Sequence, residues 1–239
     1  MPKDIYRGKV NVLHLLEGSR HAQGTAVIID VFRAFSLECY LYALGARTIR
    51  PVGSLEEAYR LKRQYPDCLL VGERQGKMCE GFDFGNSPCS IREDAVRGKA
   101  VIHTTSAGTQ GIINARQADV ILTGSLVNAR AIAEYILRQD PPEVSLVCMG
   151  NGGVRPAAED ELCAIYIRSL LKGEEFPDLK QRIADLRHRG GEHFFVPETQ
   201  DVYPEPDFWL CILRDRFDFV LKVEKDELGF AARKIDGLR

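Results

Sequence analysis

Short apolar runs alternate with amphipathic stretches over most of the chain. VNVLHLL, TAVIIDV, TIRPVG, CLLVGE, KAVIHTT, DVILTGS and EVSLVCM each read as a strand, most of them apolar on both faces. Strands of that kind are covered by helices on both sides, as in a parallel or mostly parallel sheet. Between them lie helical patterns: AFSLECYLYALGA, SLEEAYRLKRQYP, AGTQGIINAR and NARAIAEYILRQ. Ser54, three residues before Glu57, opens the second of these as a capping box, and Gly45 falls where the first should stop. After Met149 the alternation gives way to two helical stretches, AAEDELCAIYIRSLLKG and PDLKQRIADLRHRG. A short helix around DFWLCILRD and a strand, DFVLKVEK, follow. The expected fold is a layered α/β/α unit with a parallel or mixed sheet. No repeat, low-complexity stretch or linker interrupts it, so one unit over residues 1–239 is expected. Two packed lobes, about 1–97 and 98–239, are the alternative arrangement.

Composition narrows the class without changing that picture. Hydrophobic residues make up 45% and charged residues 28% of the 239 positions, the balance of a globular protein. A formal net charge of −2 argues against general nucleic-acid binding, which shows a basic face or stripe. No apolar run approaches a membrane span, and the opening MPKDIYRGKV lacks the apolar core of a signal peptide, so a cytoplasmic location is expected. Seven cysteines (Cys39, Cys68, Cys79, Cys89, Cys148, Cys163 and Cys211) are scattered with no C-x-x-C pair. They read as free thiols, several of them buried as small hydrophobes, and their spacing does not supply a zinc site.

In open α/β sheets ligands sit beyond the carboxyl ends of the strands, and here those ends are rich in polar and glycine residues. In IIDVFRAFS, Asp30 ends an apolar strand and is suited to a hard cation, while Arg33 is suited to phosphate or carboxylate. A capping Asp and a surface Arg would account for the same residues. GERQGKMCEGFDFGNSP gathers Glu73, Arg74, Lys77, Glu80, Asp83, Asn86 and Ser87, able to offer metal ligands and backbone donors. In HTTSAGTQG the hydroxyls of Thr104, Thr105, Ser106 and Thr109 meet Gly108 at a helix start, an anion-binding arrangement that turn chemistry explains equally well. Ser125 and Asn128 open a further helix. Gly150, Gly152 and Gly153 precede Arg155, Glu159 and Asp160, acids that also complement a helix dipole.

Other chemistries lack their motifs. There is no Walker A loop, no G-x-S-x-G elbow, no D-x-D-x-T/V strand end and no C-x₅-R loop. No G-x-G-x-x-G follows the first strand, which argues against a nucleotide-binding oxidoreductase. His103 sits inside an apolar strand, where a satisfied core histidine is expected rather than a general base.

AVIIDVFRAFS, ALGARTIRPVGSLEEA, LLVGERQGKMCEGFDFGNSP, GKAVIHTTSAGTQG, ILTGSLVNARAIA and VCMGNGGVRPAAEDELCA, in this order, resemble the 2-phosphosulfolactate phosphatase family. The resemblance runs from about Ala26 to Ala164, and GER followed by EGFD-x-GNSP is its most specific element. It implies an α/β, cytoplasmic, magnesium-dependent enzyme that releases phosphate from a phosphorylated sulfonate and is associated with coenzyme M biosynthesis. Carried over by position, it implies site residues Asp30, Arg33, Glu73, Arg74, Asp83, Asn86, Thr105, Gly108, Thr109 and Asp160. Three departures stand out: Ala107 replaces a usual Asn, Phe35 a usual Thr, and NGG a Thr-Glu-Gly-type turn.

The resulting expectation is a phosphomonoester hydrolase with catalytic Asp30, Arg33 and Glu73. Its substrate-binding residues are Arg74, Asn86, Thr105, Gly108, Thr109, Ser125 and Asn128. Magnesium would be held among Asp30, Glu73, Asp83 and Asp160, and the nucleophile is either water or a carboxylate, Asp30 first. Arg33, Arg74, Lys77, Arg130 and Arg155 suggest a second anionic group on a small phosphoester substrate. Neither nucleic acid nor membrane is expected as a partner, and assembly into a homo-oligomer is compatible with the sequence. The alternatives are a catalytically silent anion-binding homologue and a phosphatase of a different small phosphorylated carboxylic acid.

Overall fold

The computed structural model describes residues 5–236. The chain begins with β1 (Lys9–His14), α1 (Leu15–Arg20), β2 (Gly24–Ile29), α2 (Ala34–Ala43), β3 (Thr48–Pro51) and α3 (Leu55–Gln64). It continues through β4 (Leu69–Arg74), β5 (Lys77–Met78), α4 (Glu93–Val96), β6 (Ala100–Thr104), α5 (Gly108–Asn114) and β7 (Ala118–Gly124). Then come α6 (Ala129–Gln139), β8 (Glu143–Cys148), α7 (Ala158–Lys172), α8 (Leu179–Asp185), α9 (Glu205–Cys211), β9 (Val220–Asp226) and β10 (Gly229–Ile235). The local signals for α3 and the end of α2 act as expected. Ser54 Oγ accepts from the Glu57 N–H at 3.1 Å, and Gly45 leaves α2 at φ +91°, a conformation that favours glycine.

All the strands join one sheet in the order β1-β8-β2-β7-β9-β10-β3-β6-β4-β5. β1, β8, β2 and β7 pair in parallel, as do β3, β6 and β4. The β9–β10 hairpin joins these groups, antiparallel to β7 on one side and to β3 on the other. Three reversals separate the groups, so the two parallel halves run in opposite directions. The sheet is therefore mixed, and helices cover it in layers.

What unites the halves is the layer between them. Ala26, Ile28 and Val147 from one half and Ile49, Val71 and Val101 from the other pack into one cluster with Phe35, Leu37 and Leu41 of α2 and Ile112 of α5. Burial of that apolar surface holds the halves against the same two helices. The other face of the first half is covered by α6, α7, α8 and α9, and that of the second by Ala58 and Leu61 of α3. Since β2 feeds α2 and β6 feeds α5, the ends of two strands five places apart in the sheet meet across this layer.

The structure departs from the pattern at four elements. VNVLHLL does not run on as a strand to Leu16, because Leu15 takes φ +64° and opens α1. α4, β5 and β10 give too little signal: two are short, and GFAARKI opens on glycine and carries two charges, Arg233 and Lys234, before its last residue. Gly98 lies between α4 and β6, within the second half, whose strands β3 and β4 precede it. The halves of the sheet thus do not divide at that point. Among the described residues no helix is long and apolar enough to cross a membrane.

Candidate active site

Asp30 leaves the end of β2 and turns inward. Its Oδ1 accepts from the Ala34 N–H at 3.2 Å and its Oδ2 from the Gly108 N–H at 2.9 Å. The second contact needs glycine, since a Cβ at residue 108 would lie 2.8 Å from Asp30 Oδ2 and 3.0 Å from Phe35. Burial pushes the Asp30 carboxyl up to about 6; the Ala34 and Gly108 amides and His103 hold it down, and Glu73 pushes it further up.

Glu73, at the end of β4, is buried and organises the loop after β6. Its Oε1 accepts from the Ser106 N–H at 2.6 Å, and its Oε2 from the Gly76 N–H at 2.6 Å and Ser106 Oγ at 3.1 Å. Arg74 donates to the Glu73 carbonyl at 2.6 Å and to Thr104 Oγ1 at 2.8 Å. Thr105 and Thr109 are buried and cap each other: each backbone N–H donates to the other's Oγ1, at 2.9 and 3.1 Å.

A second pair of acids enters from the start of α7. Asp160 accepts from the Val31 N–H and the Gly150 N–H, each at 2.8 Å. Burial lifts its carboxyl well above the ordinary range, and Asp30 and Glu159 lift it further. Glu159 Oε2 is sealed from solvent without a hydrogen-bond partner, and burial pushes that carboxyl up to about 7, with Asp30 adding to the effect. Gly190 leaves room for it, for a Cβ there would lie 2.7 Å from Glu159 Oε2.

Several expected site residues are placed differently from a substrate-facing arrangement. Arg33 is 3% exposed and donates to Asp207 Oδ2 at 2.8 Å, the Val202 carbonyl at 2.9 Å and the Gly76 carbonyl at 3.3 Å. Its guanidinium also stacks on Tyr203, 4.9 Å from the ring centre. Ser125 and Asn128 are fully buried in a reciprocal cap, with Ser125 Oγ 2.6 Å from Ser36 Oγ. Asp83 is separated from the other acids. The loop doubles back along β4, so that Asp83 accepts from the Leu70 N–H at 2.7 Å and pairs with Lys62 at 3.3 Å, while Glu73 lies at the opposite end of the strand. Lys77 and Arg155 are exposed, and Arg130 pairs with Asp215 at 3.4 Å. The five cations therefore do not converge. His103 is a satisfied core histidine, as expected, between Glu38 at 2.8 Å and Asn86 at 3.3 Å.

The protein-family model described as 2-phosphosulpholactate phosphatase matches residues 11–192. This chain belongs to that family. A Caldicellulosiruptor saccharolyticus relative is 41% identical over 64% of each chain, so the match spans just under two thirds of that protein's length. A Clostridium perfringens relative is 37% identical over 85% of this chain and 87% of its own, and a Bacillus subtilis relative 27% identical over 89% and 93%. Each is named a probable 2-phosphosulfolactate phosphatase.

The family resemblance implies magnesium, and the buried acids test whether such an ion fits. Among the described residues no three His, Cys, Asp or Glu side chains are arranged to hold a metal by themselves. Magnesium asks for less, keeping several waters and taking one or two carboxylates together with substrate phosphate. Glu159 meets that need: it is buried, the charge of Asp30 pushes its carboxyl further up, and its Oε2 is orphaned. Two of this family member's departures are structural in effect. Phe35 fills the core against Gly108, and Ala107 caps α5 without a side-chain hydrogen bond.

Sequence reasoning undervalued Glu159, whose place in a helical first turn explains an acid without any site. It missed Glu38 and Asp207 as well. A charged residue inside LECYLYA was the one available signal for Glu38, because charges are almost never fully buried unless paired.

Proposed function

We propose that this chain hydrolyses the phosphomonoester bond of a small phosphorylated acid, with 2-phosphosulfolactate as the substrate and magnesium as the cofactor. Family membership supports the reaction class and the substrate. The observation that carries the reading onto this chain is the buried acid group of Asp30, Glu159 and Asp160 at the strand ends. Such a group repels an anionic ester unless a cation lies among it, and a protein that merely bound anions would gain nothing from it.

In this reading Glu159, whose Oε2 has no protein partner, would hold magnesium, which when bound offsets charge on the phosphoryl group. Both Asp30 oxygens already accept backbone N–H bonds, which stabilises the carboxylate and makes it a weak nucleophile. Asp30 acts instead as the base that takes a proton from water: burial outweighs those bonds and holds its carboxyl at about 6, which suits that role near neutral pH. The water oxygen forms the new bond to phosphorus as the ester P–O bond breaks. The departing alkoxide takes up the proton that Asp30 removed from water, which restores the carboxylate and leaves sulfolactate and inorganic phosphate. Glu73 holds the Ser106 amide and hydroxyl in place beside the reacting group.

The test is phosphate release from 2-phosphosulfolactate, phospholactate, phosphoglycerate and p-nitrophenyl phosphate, with magnesium and after its removal by chelation. Highest kcat/KM for phosphosulfolactate, lost with EDTA and regained with magnesium, is the expected outcome. Full turnover in metal-free buffer would contradict the metal role, and equal turnover of p-nitrophenyl phosphate would contradict recognition of a second anion.

A further inference from the structure

His103 and Glu38 lie outside the acid group, yet both are fully buried and join three segments that carry the site. Glu38 is on α2, which follows Asp30; His103 is on β6, which leads to Thr105 and Ser106; Asn86 ends the loop that follows β5. His103 Nδ1 lies 2.8 Å from Glu38 Oε1, and His103 Nε2 lies 3.3 Å from Asn86 Oδ1. Asn86 Nδ2 has no hydrogen-bond partner among the described residues, and it is not one of the polar atoms sealed from solvent. The amide nitrogen of Asn86 therefore keeps some contact with solvent, although the residue as a whole is buried. His103 stands near enough to Asp30 for its charge to draw that carboxyl down, so the chain of contacts runs beside the reacting group.

We propose that the buried Glu38–His103 pair is a positioning device that holds the Asn86 amide with its N–H bonds toward the site, giving an oxyanion of the phosphoester a donor. The proposal rests on the phosphatase reading of that site.

Two arrangements of protons satisfy the contacts, and they present opposite faces of Asn86. In the first, Nε2 carries a hydrogen and donates to Asn86 Oδ1. One further proton is then shared between Nδ1 and Glu38, the pair is neutral overall, and Nδ2 points outward as a donor. In the second, Nδ1 alone is protonated and donates to a Glu38 carboxylate. Bare Nε2 must then accept from Asn86 Nδ2, and Oδ1 points outward. That second state buries a net negative charge whose other oxygen, Glu38 Oε2, has no partner. Burying an unneutralised carboxylate is costly, and here it would add to the buried Asp30 carboxyl that the charge of His103 reaches. It would also turn a carbonyl oxygen toward an anionic substrate. The first state wins on both counts. Glu38 is thereby explained: its proton or charge fixes the ring, and the ring fixes the amide.

The test reads the His103 ring by nitrogen-15 NMR of the full-length protein and the affinity for orthophosphate in magnesium buffer. Long-range proton–nitrogen correlations are expected to show a hydrogen on Nε2, the atom that faces Asn86 Oδ1. Asn86→Ala is expected to weaken orthophosphate binding about tenfold, the loss of one charge-assisted hydrogen bond. His103→Gln should weaken it in the wild-type background and add little in Asn86→Ala. A ring protonated at Nδ1 alone overturns the proposal even if His103→Gln fails to fold. So does an Asn86→Ala protein that binds orthophosphate as tightly as wild type. If wild type binds no orthophosphate and hydrolyses none of the phosphoesters, the phosphatase reading itself fails and the donor role with it.

Discussion

Arg33 and Asp207, 174 positions apart, form an ion pair of 2.8 Å whose side chains are 3% and 0% exposed. Asp207 also accepts from the Cys89 N–H at 2.9 Å, and Arg33 reaches the Val202 and Gly76 carbonyls. One buried pair thus ties α9, the turn after β4, the segment at Cys89 and the strand end that carries Asp30. Removing either partner leaves the other charge buried alone. Asp207→Ala should cost about 3–5 kcal/mol of stability, and Arg33→Ala a similar amount. The double variant should lose clearly less than the sum, as read by denaturant unfolding of all four proteins. Additive losses would mean that the pair is not the connection it is described as.

The buried acids set a pH dependence of stability with a definite sign. Asp30 and Glu159 rise from ordinary values of 3.8 and 4.5 to about 6 and about 7 on folding. Between those limits the folded protein binds more protons than the unfolded chain, so stability falls as pH rises and levels off above the folded values. For Asp30 the loss is on the order of 3 kcal/mol. Metal-free protein should therefore melt at a lower temperature at about pH 8 than at about pH 5, and Glu159→Gln should raise the value at the higher pH. Magnesium should raise Tm more at the higher pH than at the lower. A Glu159→Gln variant that melts below wild type at the higher pH would contradict the orphaned, repelled state of this carboxyl.

Thiol chemistry should play no part in turnover. Burial pushes the thiols of Cys39 and Cys163 well above their ordinary range and raises Cys148 as well, so none is a thiolate near neutral pH. Alanine at any of these positions can cost stability but should leave kcat of the folded protein unchanged. A maleimide should modify Cys89 first, since it alone of the seven cysteines is exposed. A folded, inactive Cys→Ala variant would bring a thiolate mechanism back.

Much of this fold was legible because strand and helix periods are local. The run TAVIID placed Asp30 at a strand end, and HTTSAGTQG placed Gly108 at a helix start. That the two would touch across α2 and α5 was not legible, since it depends on how two oppositely directed half-sheets share one layer. Asp83 shows the same limit. Its loop reads as one polar stretch with Glu73, but the bridge of Phe84 to Val71 turns it back to the other end of β4. Arg33 was readable as a cation at a strand end, while the carboxylate that claims it sits in α9. The charge of Glu38 inside an apolar helix hinted at a buried partner, but that the partner is His103, 65 residues away, was not legible.

The central claim is that Asp30 is the base of a phosphatase. The most direct test is the rate of phosphate release from 2-phosphosulfolactate by wild type and by Asp30→Asn, both saturated with magnesium and checked for equal folding by circular dichroism. Asparagine keeps the shape of Asp30 but cannot take a proton from water, and loss of a general base costs roughly 10²–10⁴-fold. The account predicts a fall in kcat of that size with the fold retained. An Asp30→Asn protein with near wild-type kcat would contradict it.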